Sequence, residues 1–172
     1  MTFLDRILGR RPDPTLNWQT SNAPMPDFDL EAMRFGTLQF GQGFEAAEFL
    51  GRPDLFRWTQ EEYCELLYAS RGFQIDYDER KFAYLAFLIG PDRHQPDHPA
   101  LKFSTPRLRT PEGVRLSCEA DRALLEQLFE APDSVDAGAS QVVLYYTRNH
   151  VTMEFEMDGT TGRLKRWNLY PK

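Results

Sequence analysis

The sequence is short of the residues from which recognisable catalytic and metal sites are usually built. It has two cysteines and three histidines in 172 residues, and the cysteines do not form a C-x-x-C pair. It also lacks the G-x-S-x-G, G-x-x-x-x-G-K-[ST] and H-E-x-x-H patterns of hydrolases, P-loop nucleotidases and zinc proteases. We therefore expect a protein that is not an enzyme and that binds neither cofactor nor metal.

Long apolar runs are missing as well. No stretch approaches the roughly 20 apolar residues of a membrane-spanning helix, and the N-terminus has no apolar core or small-residue cleavage site of a signal peptide. The expected location is therefore the cytoplasm. There Cys64 and Cys118 are expected to be reduced, buried thiols, although a disulfide between them is the alternative.

Basic residues are in the minority. Lys and Arg number 20 against 26 Asp and Glu, which gives a net charge of −6. Nucleic-acid binding requires clustered Lys and Arg, so nucleic acid is not an expected partner. The expected partner is another protein, with a basic surface.

The strongest positive feature is a pattern that occurs twice, in residues 63–88 and 142–170. In both stretches a strand is followed by a turn and by a second strand in which apolar and polar residues alternate, as in an antiparallel sheet. Gly72, Asn149 and Asp158-Gly159 supply the turns. The alternating apolar residues are Phe73, Ile75 and Tyr77 in the first stretch and Val151, Met153 and Phe155 in the second.

These patterns predict an α+β fold of two tandem repeats. Each repeat is expected to be a strand-helix unit followed by a three-stranded antiparallel meander, with its helix, 44–50 or 120–129, packed on one face of the sheet. The predicted boundaries are an N-terminal helix and extended arm at 1–33, repeat 1 at 34–92, a loop at 93–107 and repeat 2 at 108–172. Units of about sixty residues are marginal alone, so we expect the repeats to pack as one body.

Three segments have alternative interpretations. Residues 1–11 predict a short amphipathic helix that docks on the body, or one that binds a membrane surface or a partner. The loop between the repeats is expected to be solvated, but it could recruit a metal through Asp92, His94, Asp97 and His98. Gly41-Gln-Gly43 is expected to be a strand-to-helix turn, with a phosphate-binding loop as the alternative.

His150 is the only histidine within a repeat. We expect it to occupy a turn with positive φ, because it corresponds in position to the turn at Gly72. A cleft between the repeats near His150 and Tyr146 is the alternative, and it would make the protein a small-molecule-binding or enzymatic domain. A purely structural accessory domain is a third possibility.

The predicted binding surface is the sheet face opposite the core. Two carboxylates in each repeat are expected there: Asp76 and Asp78, and Glu154 and Glu156. If 79–80 form a simple turn, Leu85 and Phe87 join this acidic face, and we assign Trp167 to it as well. Apolar anchors surrounded by charge are typical of protein interfaces, so these seven residues are the predicted partner-binding site.

Tandem units of helix on antiparallel meander, in a small acidic chain without catalytic groups, resemble in layout the beta-lactamase inhibitor protein family. The resemblance covers about residues 35–172 and implies a sheet face that presents aromatic and acidic groups to an enzyme. Residues 3–11 are similar to the start of many small bacterial cytoplasmic proteins, including immunity proteins. The expected function is therefore that of an inhibitor or immunity-type protein.

Overall fold

The protein is described by a computed structural model that covers residues 11–93, 95–110 and 112–172. The helix predicted for residues 1–11 lies outside the described residues except for Arg11. The strands in chain order are β1 (Phe28–Asp29), β2 (Arg34–Phe35), β3 (Leu38–Gln39), β4 (Leu55–Trp58), β5 (Cys64–Tyr68), β6 (Phe73–Asp78), β7 (Lys81–Leu88), β8 (Ser134–Ala137), β9 (Gln141–Arg148), β10 (Val151–Asp158) and β11 (Leu164–Pro171).

Helices are few. Within the described ranges there is one α-helix, α1 (Arg122–Phe129), and there are two 3-10 helices, Phe44–Leu50 and Ala69–Arg71. The side chain of Asp121 begins α1 by accepting a hydrogen bond from the Leu124 amide at 2.9 Å. The predicted helix at 120–129 is therefore present, whereas the one at 44–50 is a seven-residue 3-10 helix that ends at Gly51, where φ is +76°.

One large sheet dominates the fold. Its eight strands lie in the order β4-β5-β6-β7-β11-β10-β9-β8, and every neighbouring pair is antiparallel. Two four-stranded meanders meet where β7 pairs with β11, in the register Leu85 to Leu169 and Phe87 to Trp167. A second, three-stranded sheet consists of β1, β2 and β3.

The predicted fold class, α+β repeats of a strand-helix unit and a three-stranded meander, is therefore wrong. The protein is a sheet-dominated structure in which each meander has a fourth strand at its outer edge. The edge strands are only four residues long: β4 is apolar at three of its four positions, and β8, although its residues alternate, is exposed throughout, so neither gives a clear pattern. The sequence pattern consequently missed both of them.

The core lies on one face of the large sheet. The small sheet covers its centre, where the Phe28 ring lies 5.1 Å from Trp167 and the Phe35 ring lies 5.4 Å from Phe87. The 3-10 helix Phe44–Leu50 covers one side of the core through the contact of Phe44 with Tyr77. Helix α1 covers the other side through the contact of Phe129 with Phe155. Burial of large aromatic side chains on this face is the main source of the stability of the sheet.

Two β-bulges decide which side chains face this core. Asp76 pairs with Tyr84, but Tyr77 pairs with Phe82, so Ala83 is an extra residue in β7. In the same way Glu156 pairs with Arg166 and Met157 with Leu164, so β11 contains one extra residue. Side chains alternate between the two faces of a strand, so one added residue moves every later side chain of that strand to the opposite face.

The bulges overturn the predicted placement of three apolar residues. The sequence predicts Leu85, Phe87 and Trp167 on the acidic face, yet all three are fully buried on the core face. They are therefore part of the core and do not belong to an exposed binding surface.

The segment between β7 and β8 packs more closely on the protein than predicted. Asp92, one of the four residues of the metal alternative, has a side chain that is only 3% exposed and lies 3.5 Å from both the Lys165 ammonium and the Arg166 guanidinium. Leu101 packs against Leu67 and Leu88 on the face opposite the core.

Among the residues described, no helix is long and apolar enough to cross a membrane.

Candidate functional site

The sheet face opposite the core carries a group of tyrosines and carboxylates from neighbouring strands. Glu154 of β10 stands beside Asn168 of β11 on one side and Tyr145 of β9 on the other. Tyr170 of β11 follows Asn168 on the same face, and its ring lies 6.5 Å from that of Tyr84 in β7. We call this group the tyrosine-carboxylate face and define it by six residues: Tyr84, Tyr145, Glu154, Glu156, Asn168 and Tyr170.

Asn168 holds this face together. Its side-chain oxygen accepts a hydrogen bond from the Tyr84 hydroxyl at 2.9 Å. Its side-chain nitrogen donates to Glu156 at 2.6 Å and to Glu154 at 3.3 Å. The Tyr170 hydroxyl donates to the other oxygen of Glu154. Since Asn168 is buried and both of its polar atoms are used, the network fixes the positions of the two carboxylates.

The electrostatics of the face favour neutral phenols beside the carboxylates. Burial raises the pKa of Tyr84 above its ordinary value. The pKa of Tyr170 is also raised, by burial and by the hydrogen bond to Glu154. The pKa of Tyr145 is raised by burial and by the nearby Glu154. Each phenol therefore keeps its proton near neutral pH and remains a hydrogen-bond donor.

Asp76 lies on the same side of the sheet but is only 3% exposed. The Tyr63 hydroxyl donates to it at 2.6 Å and the Gln74 amide donates at 2.8 Å. Burial raises the pKa of Asp76 to about 6; the two hydrogen bonds oppose this shift, and the negative charge of Glu65 adds to it. Asp76 is thus a buried carboxyl group that gains a proton in mildly acidic solution.

A cavity of about 370 Å³ lies close to Asp76, between the sheet and residues 95–97. Leu55, Leu67, Ala86 and Leu88 give it an apolar floor, and Arg57, Glu65, Asp97 and Arg166 are its charged residues. Arg57 and Glu65 are paired, with 2.5 Å between nitrogen and oxygen. The cavity is large enough for a small organic molecule.

The structure brings together part of the predicted site. Glu154 and Glu156 belong to the tyrosine-carboxylate face, Asp76 is buried nearby, and Asp78 is exposed at the end of β6, opposite Lys81. The bulges exclude the other three predicted residues, Leu85, Phe87 and Trp167, from the tyrosine-carboxylate face.

The sequence interpretation missed four members of the face: Tyr84, Tyr145, Asn168 and Tyr170. The alternation of β9 and β11 contains the signal for three of them, but that for Tyr84 is hidden by the bulge at Ala83.

A cavity of about 610 Å³ lies beside the turn at His150 and is lined by Phe129, Arg148 and Asn149, but His150 is not among its lining residues. His150 has φ of +65° and follows Asn149, whose φ is +46°, so the predicted positive-φ turn is confirmed. Tyr146 is fully buried against Phe129 and Phe155 and does not line this cavity either.

The structure also describes the Gly41-Gln-Gly43 segment and most residues of the metal alternative. Gly41, with φ of +86°, donates its amide to the carbonyl of Phe82 at 2.8 Å and so forms a turn that contacts β7. In the described part of the chain, no cluster of three or more His, Cys, Asp or Glu side chains is arranged to hold a metal ion. His94, one of the four residues of the metal alternative, lies outside the described residues. Cys64 and Cys118 are both free; Cys64 is buried as predicted, whereas Cys118 is exposed.

Comparison of the sequence with known protein families and with curated proteins gives no match. Among solved structures, the chain is similar to a DUF4309 family protein, YjgB, from Bacillus subtilis, with a sequence identity of 13% and a TM-score of 0.46. The similarity covers 77% of this chain and 78% of that one. A similarity of this size supports no statement about function.

Proposed function

We propose that the protein binds another protein, one with a basic surface, through the tyrosine-carboxylate face. The observation that carries this proposal is the network around Asn168, which holds Tyr84, Tyr170, Glu154 and Glu156 in fixed positions on one sheet face. Fixed side chains lose little conformational entropy when a partner binds.

Tyrosine is suited to this role for a physical reason. Its ring offers a large apolar contact area, its hydroxyl still forms hydrogen bonds, and only two side-chain torsions must be ordered on binding. Tyr84, Tyr145 and Tyr170 are each partly exposed on the face. They can therefore provide the apolar contact that the sequence predicts for Leu85, Phe87 and Trp167.

The charge of the face determines the class of partner. Glu154 and Glu156 lie at its centre, in a chain whose net charge is −6. Carboxylates in such a position accelerate association with a basic surface and make the association rate sensitive to salt. A cytoplasmic inhibitor or immunity-type protein that neutralises a basic enzyme or toxin fits this chemistry, and we propose that role.

A photo-crosslinking experiment tests the proposal. A photoreactive phenylalanine analogue replaces Tyr145 in one variant and Phe49 in a control, and both proteins are expressed in the native host. Phe49 is 42% exposed and belongs to the 3-10 helix that covers the core face. We expect a specific crosslinked protein from position 145 and none from position 49. Equal crosslinking from both positions, or none from position 145, would contradict the proposal.

Affinity measurements with the purified partner complete the test. Tyr145→Ala and Glu154→Gln should each weaken binding at least tenfold, which corresponds to about 1.4 kcal/mol. Glu48→Gln removes the same charge from an exposed site on the 3-10 helix and should leave the dissociation constant unchanged. Unchanged affinity of the first two variants would exclude this face as the binding surface.

The cavity beside Asp76 favours a second candidate function, the binding of a small molecule. Its volume of about 370 Å³ and its mixture of apolar and charged lining support this alternative. A raised pKa in a carboxyl group near a cavity is typical of functional sites. A thermal-shift screen of metabolites against the natural protein and Ala86→Trp, which fills the cavity, tests it. A stabilising compound that acts on both proteins equally would contradict binding at this site.

A further inference from the structure

A second cavity, of about 490 Å³, lies away from the tyrosine-carboxylate face, between the residues before β1 and the segment that follows β7. Its charged lining residues are Arg71, Arg107, Arg115 and Asp27. Three guanidinium groups thus face one carboxylate, in a chain whose net charge is −6. The cavity is therefore a local concentration of positive charge in an acidic protein.

Two of the arginines are placed directly opposite each other. Arg107 and Arg115 form an isolated antiparallel bridge, which brings their side chains to the same side of the backbone. Like charges opposite each other across a strand pair repel and destabilise the pairing. Asp27 forms an ion pair with Arg107, with 3.7 Å between oxygen and nitrogen, and Arg115 is exposed. This single carboxylate offsets only one of the two positive charges. An anion between the two guanidinium groups would relieve the repulsion.

The turn at Gly113 lies against the Arg107 guanidinium. Gly113 has φ of +62°, and a Cβ atom at this position would lie 2.7 Å from a terminal nitrogen of the Arg107 guanidinium. The turn that carries Gly113 therefore packs directly against this group, which any other residue would displace. The Arg107 side chain is 48% exposed beside this turn, where its guanidinium can bind an anion with two parallel hydrogen bonds.

Arg71 completes the charged wall. One of its terminal nitrogens donates to the carbonyl of Leu50 at 2.8 Å, and its guanidinium lies 5.1 Å from the centre of the Phe73 ring. Burial lowers the pKa of Arg71 from its usual value more than the nearby Asp54 carboxylate raises it, so Asp54 compensates the positive charge only in part. A nearby anion would supply the missing compensation.

The rim of the cavity has an apolar component. Phe103 is 45% exposed although it is a large aromatic residue, and it lines the cavity next to Thr105. An exposed ring beside a cationic cavity can pack against the organic part of a ligand whose anionic group is bound inside.

We propose that this cavity binds the phosphate group of a small phosphorylated molecule, with Arg107 and Arg115 contacting the phosphate and Phe103 packing against the organic part. Phosphate is the anion that matches several guanidinium groups best, because it carries two negative charges and several acceptor oxygens. The site is independent of the proposed protein-binding face.

Isothermal titration calorimetry with phenyl phosphate, inorganic phosphate and benzoate tests the assignment. The natural protein should bind phenyl phosphate in a saturable manner, more tightly than either of the other two probes. Arg107→Gln/Arg115→Gln should weaken this binding at least tenfold. Lys81→Gln/Lys172→Gln removes the same charge from exposed positions that do not line the cavity, and it should bind as the natural protein does.

Each result decides the matter. No saturable binding of phenyl phosphate, or binding that the double arginine variant leaves unchanged, would overturn the proposal. Equal affinity for benzoate would overturn the assignment to phosphate, and equal affinity for inorganic phosphate would overturn the role of Phe103. If the double variant does not fold, Arg115→Gln alone is the test, since this side chain is exposed and should not be required for folding.

Discussion

Replacement of Asp76 by asparagine gives a sharp test of the buried carboxyl group. The pKa of Asp76 is raised by burial from 3.8 to about 6. The folded protein therefore binds this proton more tightly than the unfolded chain does. The resulting stabilisation is fully present below about pH 4 and is lost as the pH rises through about 6.

The size of the effect follows from the shift. A change of about two pKa units corresponds to about 3 kcal/mol, of which about 1.3 kcal/mol is gained when the pH falls from 7 to 5. Asp76→Asn has nearly the same shape and still accepts a hydrogen bond from Tyr63 or Gln74, but it cannot titrate. Relative to this variant, the natural protein should gain about 1.3 kcal/mol of unfolding free energy over that interval.

Urea unfolding monitored by tryptophan fluorescence at pH 7, 6 and 5 measures this difference. Asp78→Asn, which changes an exposed carboxylate at the end of the same strand, is the matched control and should follow the natural protein. If the natural protein and Asp76→Asn changed in parallel across this pH range, Asp76 would not titrate there, and the reasoning that burial outweighs its two hydrogen bonds would be refuted.

Three further substitutions test the packing by urea unfolding. Trp167→Ala removes a fully buried ring that contacts three aromatic rings. It should lower the free energy of unfolding by about 3–5 kcal/mol, and a loss below about 1 kcal/mol would mean that the ring is exposed. Gly72→Ala should lower the free energy of unfolding clearly more than Gly162→Ala does. Both glycines have positive φ, but of the two only Gly72 would place an added Cβ 2.5 Å from a backbone atom. Equal losses would contradict the close packing at Gly72. Asp121→Ala removes the N-cap of α1 and should cost about 1 kcal/mol, whereas no change would mean that the cap contributes nothing.

The sequence predicted the strands better than their faces. The alternation in 73–77 and 151–155 identifies β6 and β10, and the Asn149 turn joins β9 to β10 as expected. In these strands one face is core, so the pattern of side chains determines the element directly. The helix predicted at 120–129 is present as α1, which Asp121 caps and which buries Leu125 and Phe129.

The faces of β7 and β11 depend on the bulges, which the local sequence does not specify. Residues 82–88 are apolar at nearly every position, so the sequence is compatible with either set of side chains facing inward. The choice is made by packing against Phe28 and Phe35 of the small sheet, which is distant in the chain. A one-residue shift in β7 then moved the predicted apolar anchors into the core and placed Tyr84 on the opposite face.

The central claim is that the bulge at Ala83 places Tyr84, and not Leu85, on the face that carries Tyr170. A two-dimensional nuclear Overhauser experiment on the natural protein measures this arrangement directly. Cross-peaks between the ring protons of Tyr84 and Tyr170, whose centroids lie 6.5 Å apart, are expected. Cross-peaks from the Tyr170 ring to the Leu85 methyl groups would contradict the register, and with it the tyrosine-carboxylate face.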